Sequence, residues 1–192
     1  MFSSSSRVEL RKNLRQKRES LSPPFRTRAS QNIVQRLIAL PIFHASQRIA
    51  LYLPYNFEVD ISALTSAIPE KEYYLPILAA TNHLEFGLYH PGDPLQPNIF
   101  GILEPALHTL QSADELDLVC TPVVGFDEQG NRLGMGGGYY DRTFSFKENE
   151  IYQPFLLGIA FDCQKVDQLE TEIWDIRMNG ILTEQNFYSL QQ

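Results

Sequence analysis

Cysteine is scarce in this chain. The two that occur, Cys120 and Cys163, lie in apolar, strand-like runs. They read as buried free thiols in a reducing compartment, and no disulfide framework is expected. The four histidines, His44, His83, His90 and His108, show no metal-ligand spacing. No run of about 18 apolar residues occurs, so no membrane span is expected. The opening MFSSSSRVELRKNLRQKRES is basic but lacks an apolar stretch, which argues against a secretory signal and leaves a short targeting tail open. There is no G-x-S-x-G, no Cys/His pair in a motif and no internal repeat, so no protein nucleophile is expected. A cytoplasmic chain of one domain, residues 1–192, is the resulting expectation. Residues 1–22 form a basic helix packed on its body.

Acidic residues are missing from the beginning. Residues 1–36 hold nine of the sixteen Lys and Arg but two of the 23 Asp and Glu. The rest of the chain is strongly acidic, which argues against nucleic acid as the main partner. On a helical wheel over residues 7–20, Arg7, Arg11, Arg15 and Arg18 fall on one stripe. Leu10, Leu14 and Leu21 form the adjacent one. The apolar edge can dock while the arginines look along the surface, either as a solvated face or as part of an anion site.

Pro23-Pro24 breaks this helix, and a second follows from about Phe25 to Leu40, ended by Pro41. The pattern then turns to strands: 49–53, 73–77, an alternating edge or antiparallel 84–89, a central 116–125, 155–161 and 181–183. Asp60 or Ser62 is placed to cap a helix reaching Ile68. The Pro-rich 91–105 has no regular period. Strands alternating with helices predict an α/β fold, a three-layer α/β/α sandwich around a mostly parallel, Rossmann-like sheet. Ligands in such sheets sit at the carboxyl ends of the strands.

Glycine is concentrated where the central strand ends. In FDEQGNRLGMGGGYYDR, Gly134, Gly136, Gly137 and Gly138 are packed together before a short predicted helix. Glycines there let backbone N–H groups wrap a phosphate, with the helix N-terminus adding its positive end. Neither the G-x-x-x-x-G-K-[ST] nor the G-x-G-x-x-G spacing is met, and glycines alone also suit an ordinary surface turn. The flanks favour a phosphate site: Arg132 precedes the loop, and Asp141 behind it suits Mg²⁺ beside phosphate oxygens.

These residues resemble the signature of the 5-formyltetrahydrofolate cyclo-ligase family, roughly F-D-x-x-G-x-R-L-G-x-G-x-G-Y-Y-D. RKNLR, YLPYNFEVD, FGILEP and WDIRMNGILTE resemble further elements of that family along nearly the whole chain. The resemblance implies an enzyme acting on small molecules, and a monomer with no membrane partner is expected. It would convert 5-formyltetrahydrofolate to 5,10-methenyltetrahydrofolate with ATP and Mg²⁺, through phosphorylation of the formyl oxygen and closure by N10. The same fold could instead serve a regulator that binds nucleotide or folate without turnover.

Carried onto this sequence, ATP would meet Arg11, Lys12, Asn13, Leu14 and Arg15, and the loop Arg132, Leu133, Gly134, Met135, Gly136, Gly137, Gly138, Tyr139 and Tyr140. The folate would meet Arg15, Leu53, Glu58, Met135, Gly136, Gly137, Gly138 and Tyr139. Tyr55, Phe100 and Tyr139 are candidates to stack on its rings. Asp141 and Asp175 would hold Mg²⁺. Read without the resemblance, Glu58 is an ordinary exposed loop acid. Three departures stand out: Arg11 where the family usually has Lys, Gly137 where Lys is frequent, and Asn179 at the second acid of the C-terminal element.

Overall fold

A computed structural model describes residues 4–107, 109–148 and 154–190. His108 lies outside these, as does the extreme N-terminus. The chain begins with α1 (Ser4–Glu19), α2 (Pro23–Ile38) and α3 (Pro41–Ala45). The two prolines end nothing themselves: they stand inside the first turn of α2, where a missing N–H costs little, and Ser22 caps the helix by accepting from Phe25 N.

An eight-stranded sheet follows, in the order β12-β11-β10-β7-β1-β2-β3-β6. Its centre is parallel: β1 (Arg48–Ala50), β2 (Glu72–Leu78), β7 (Leu118–Pro122), β10 (Phe155–Ile159) and β11 (Gly180–Leu182). The strands β3 (Leu84–Leu88), β6 (Leu110–Gln111) and β12 (Phe187–Ser189) run antiparallel at the two sides. Of the two readings of 84–89, the antiparallel one holds and the edge one does not, since β3 lies one strand in from the edge, and β12 was not expected.

The central strands carry apolar residues on both faces, as short continuous runs do when both faces are covered. Ile49, Tyr73, Leu118 and Leu157 pack beneath α2 and α3 with Ile33, Leu37 and Phe43. Ala50, Tyr74, Val119 and Leu156 face the opposite core with Phe126, Phe144 and Met178. That second layer is thin, built from α5 (Tyr139–Thr143), neighbouring turns and the segment before β11. The three-layer α/β/α expectation holds with this asymmetry.

Two local expectations fail. Neither Asp60 nor Ser62 caps α4 (Leu64–Ala67), whose N-cap is Ala63 with no side-chain bond. Asp60 instead accepts from Ser62 N and Oγ, closing a local turn. Within 91–105, β4 (Leu95–Pro97) and β5 (Leu103–Pro105) form a hairpin. Its prolines stand at strand ends, where the missing donors are tolerated.

α1 docks on a small separate core. Leu14 packs with Val124, Leu133 and Leu169 over the hairpin of β8 (Gly125–Phe126) and β9 (Arg132–Leu133). A Cβ on Gly125 would overlap Leu14 Cδ1, so the glycine sets how closely α1 approaches. The turn between β8 and β9 is fixed by buried Asp127, which accepts from the N–H groups of Gln129, Asn131 and Leu169. This scaffold brings the arginines of α1 onto the glycine loop.

Candidate active site

A cavity of about 1400 Å³ opens at the carboxyl ends of β1, β2 and β7. After β1 the chain builds β2 on one side and later β7 on the other. The cavity thus lies at the point where strand order reverses, the expected place for a ligand in such a sheet. Its volume exceeds the range of about 300–1,000 Å³ that suits one drug-sized ligand.

One end is cationic. Arg11 Nε donates to Gly134 O at 2.9 Å, and Arg15 Nη2 lies 3.3 Å from Met135 Sδ. Arg7 pairs with Asp175 at 3.2 Å. Partial burial lowers the pKa of Arg11, and the charges of Arg7 and Arg15 lower it further. Like charges crowded at a glycine loop are relieved by a bound anion. Gly136 and Gly138 have φ of +104° and +66°, a region that side chains disfavour. A Cβ on Gly134 would meet nothing within 4 Å, so that glycine leaves open space rather than avoiding a clash. Arg142 Nη2 donates to Gly137 O at 2.5 Å, so a guanidinium lies beside the loop backbone, whereas a Cβ on Gly137 itself would meet the Tyr139 ring.

Two acids lie at the junction. Asp141 Oδ1 accepts from Arg132 Nη2 at 2.7 Å and from Ile176 N at 3.1 Å. Asp175 Oδ2 accepts from Arg7 and from Glu172 N at 2.9 Å. Each carboxylate thus makes these contacts through one oxygen and keeps the other out of them. No group of three or more His, Cys, Asp and Glu able to hold a metal occurs among the described residues. Two carboxylates beside a phosphate cradle do fit Mg²⁺, which usually completes its shell with phosphate oxygens and water.

The other end is mostly apolar, running from buried Tyr52 through half-buried Leu53, Tyr55, Ile102 and Tyr139 to exposed Phe100. Tyr52, Leu53, Tyr55 and Glu58 line it, with Phe100, Ile102 and Tyr139 across from them. Phe100 and Tyr139 meet edge to face with centroids 6.2 Å apart. Glu58 is no exposed loop acid: its side chain is 9% exposed. Burial raises its pKa, which Arg18, the Tyr55 N–H and Arg15 pull back down.

Some of the expected residues stand away from the cavity lining. Lys12 and Asn13 are exposed and line no part of the cavity, because they follow Arg11 at about 100° per residue around the helix. Leu14 and Leu133 are both 1% exposed and belong to the docking core of α1. Arg15 reaches the loop only through Met135. Asn179 is remote from the cavity lining: its Oδ1 accepts from Leu156 N at 2.8 Å, and its backbone ties β10 to the C-terminal segment.

Other lining residues escaped sequence reasoning. Glu104 is buried and accepts from Leu78 N and Asn98 Nδ2, which ties the β4–β5 hairpin to β2 over the cavity. Trp174 and Ile173 border the mouth and are 64% and 91% exposed. Exposed apolar residues beside Asp175 were a signal available in WDIRM, but periodicity does not show which residues share a cavity.

The 5-formyltetrahydrofolate cyclo-ligase family model matches residues 3–184. The chain belongs to that family. It is 37% identical over 182 residues to the 5-formyltetrahydrofolate cyclo-ligase of Haemophilus influenzae, covering 92% of this chain and 96% of that one. The Escherichia coli K12 enzyme of the same name is 36% identical over 176 residues, covering 88% and 96%. The solution structure of Aquifex aeolicus 5,10-methenyltetrahydrofolate synthetase superposes with a TM-score of 0.85 at 34% identity, covering 97% of this chain and 93% of that one. Membership makes this cyclo-ligase-family chain an enzyme, and the cationic and apolar ends of its cavity are the places to seek its two ligands.

Proposed function

We propose that this cyclo-ligase-family protein converts 5-formyltetrahydrofolate to 5,10-methenyltetrahydrofolate, using ATP and releasing ADP and phosphate. The observation that carries the reading is one cavity with two unlike ends. A guanidinium-lined glycine loop suits a triphosphate. An apolar slot with one buried carboxylate suits a pterin, whose ring edge offers paired N–H donors.

Arg11, Arg15 and the N–H groups of the loop hold the phosphates. Leu53 and Glu58 orient the pterin, and Tyr55, Phe100 and Tyr139 offer ring faces. Asp141 and Asp175 would hold Mg²⁺, which supplies charge neutralisation on the phosphates when bound. Arg132 fixes the orientation of Asp141 through their ion pair. With both substrates held, the formyl oxygen attacks the γ-phosphorus and ADP leaves. N10 then bonds to the activated carbon and gives up its proton to solvent, and phosphate departs with the former formyl oxygen. The protein contributes positioning and charge, which are the main demands of phosphoryl transfer.

A non-catalytic binding role draws little support. Asn179 stands away from the cavity, and Arg142 places a cation beside Gly137. The test is the near-UV absorbance of the methenyl product, with the full chain, 5-formyltetrahydrofolate and Mg²⁺, with and without ATP. Growth of the band only with ATP is the expected result. A flat trace from folded protein that binds ATP would refute turnover.

A further inference from the structure

The arginines of α1 are spaced as one stripe, yet the last does not join the others. Arg18 is 2% exposed, and its Nη1 lies 3.7 Å from Glu58 Oε1. That separation is too long for a hydrogen bond. Arg18 Nε has no hydrogen-bond partner among the described residues. A buried guanidinium with an unmet N–H is costly unless its charge is needed nearby.

Glu58 is presented by a strained turn. Asn56 and Phe57, consecutive and neither of them glycine, have φ of +47° and +65°. The Arg26 guanidinium lies 4.7 Å from the centre of the Phe57 ring and braces the turn from α2. Tyr55 N donates to Glu58 Oε2 at 3.1 Å. Left-handed non-glycine residues persist where the surroundings over-determine them, often at ligand clamps. Here they turn the Glu58 carboxylate inward, between Arg18 and the cavity.

We propose that Arg18 is a positioning residue for the folate end: its buried guanidinium offsets the charge of the Glu58 carboxylate and holds it aimed at the ligand without occupying the carboxylate oxygens. This rests on reading Glu58 as the carboxylate that meets the pterin. An Arg–carboxylate fork would commit both oxygens to the arginine. At 3.7 Å the charge acts while the lone pairs stay available to paired N–H donors. The groups facing Glu58 are Arg18 and Arg15 from α1, Tyr52 after β1, Tyr55 on its own turn and Tyr140 from α5. Burial raises the phenol pKa values of Tyr52 and Tyr140, so both stay neutral. Compensation of the carboxylate falls first to Arg18, then to the Tyr55 N–H, and last to Arg15.

The test compares full-length Arg18→Met, Arg18→Lys, Glu58→Gln and the Arg18→Met/Glu58→Gln double variant. Calorimetry gives the Kd of 5-formyltetrahydrofolate without ATP and, separately, the Kd of ATP with Mg²⁺, from mildly acidic to mildly alkaline pH. Arg18→Met is expected to weaken folate binding by about tenfold or more at neutral pH, as when a buried charge loses its partner. The loss deepens as pH falls and Glu58 takes up a proton. ATP binding stays unchanged, Arg18→Lys restores most of the folate affinity, and Arg18→Met costs nothing further in the Glu58→Gln background.

Thermal melts give a readout independent of ligand. Without Arg18, burial favours the protonated Glu58 more strongly in the folded state than in the unfolded one. Arg18→Met is therefore most stable below the ordinary carboxylate range and loses stability as pH rises through the raised Glu58 pKa. That slope disappears in the double variant, which also serves if Arg18→Met fails to fold at neutral pH. The inference is overturned if Glu58→Gln impairs folate binding but Arg18→Met does not. It is also overturned if Arg18→Met costs the same with Glu58 present or replaced, the mark of a packing role. A wild-type chain that binds ATP but no folate, or unimpaired folate binding by Glu58→Gln, refutes the functional reading instead.

Discussion

The two ends of the cavity use charge in opposite ways. At the glycine loop, Arg7, Arg11 and Arg15 are partly exposed, crowd like charges around Arg11 and lean on one backbone oxygen, a thioether and Asp175. At the apolar end, one carboxylate and one guanidinium sit almost wholly out of water. The same helix supplies cations to both. Its middle turns lie over the loop, while its last turn passes under the strained segment at Asn56 and Phe57. The difference teaches what each end can lose. Surface charges are screened and shared, so one removal is partly covered by its neighbours. A buried pair has no such reserve, and removing one partner leaves the other uncompensated.

Where the ends meet, Asp141 has the largest expected effect. Asp141→Asn retains an acceptor for Ile176 N but loses the charge facing Arg132. Turnover should drop by about a hundredfold, the scale of losing one electrostatic contributor at a reacting centre. The Mg²⁺ requirement should move to higher concentration, read by titrating the cation in the absorbance assay. Unchanged turnover would remove Asp141 from the site.

Arg11→Ala sharpens the contrast next. ATP affinity should fall about tenfold, the worth of one charge-assisted contact. The remaining binding should depend less on salt, while folate affinity stays put. Equal losses for both ligands would mean that the ends are not separate.

Gly125→Ala acts on both ends through the helix they share. The added methyl meets Leu14 at the root of α1. A cost of about 1–3 kcal/mol, typical of overpacking, should show in denaturant melts. Modest weakening of ATP and folate binding together should accompany it.

The smallest effect is expected from Asn179→Asp. Restoring the family's acid there should leave the Mg²⁺ titration unchanged, because this side chain brackets Leu156 at the start of β10. A shifted titration would bring the residue back to the metal.

Much of the cationic end was legible because its residues are contiguous. Four glycines followed by an acid announce themselves without any fold. The arginine stripe was legible for the same reason, since helical spacing is a local property. Reading RKNLR as one block over-reached, because a helix turns Lys12 and Asn13 away from what Arg11 faces. Arg18 shows the deeper limit. Its spacing matches the stripe, but its burial depends on a turn forty residues later in the chain. Glu58 was found by resemblance alone, since nothing local distinguishes a buried loop acid from a solvated one. The hairpin of β4 and β5 was hidden because prolines mask strands this short.

The most direct measurement is calorimetric binding of each ligand alone to Glu58→Gln. Wild-type affinity for ATP with Mg²⁺ is expected, together with folate affinity weakened about ten- to a hundredfold, the scale of a lost hydrogen-bonded charge. Loss of both ligands, or of neither, would contradict a cavity with two separately built ends.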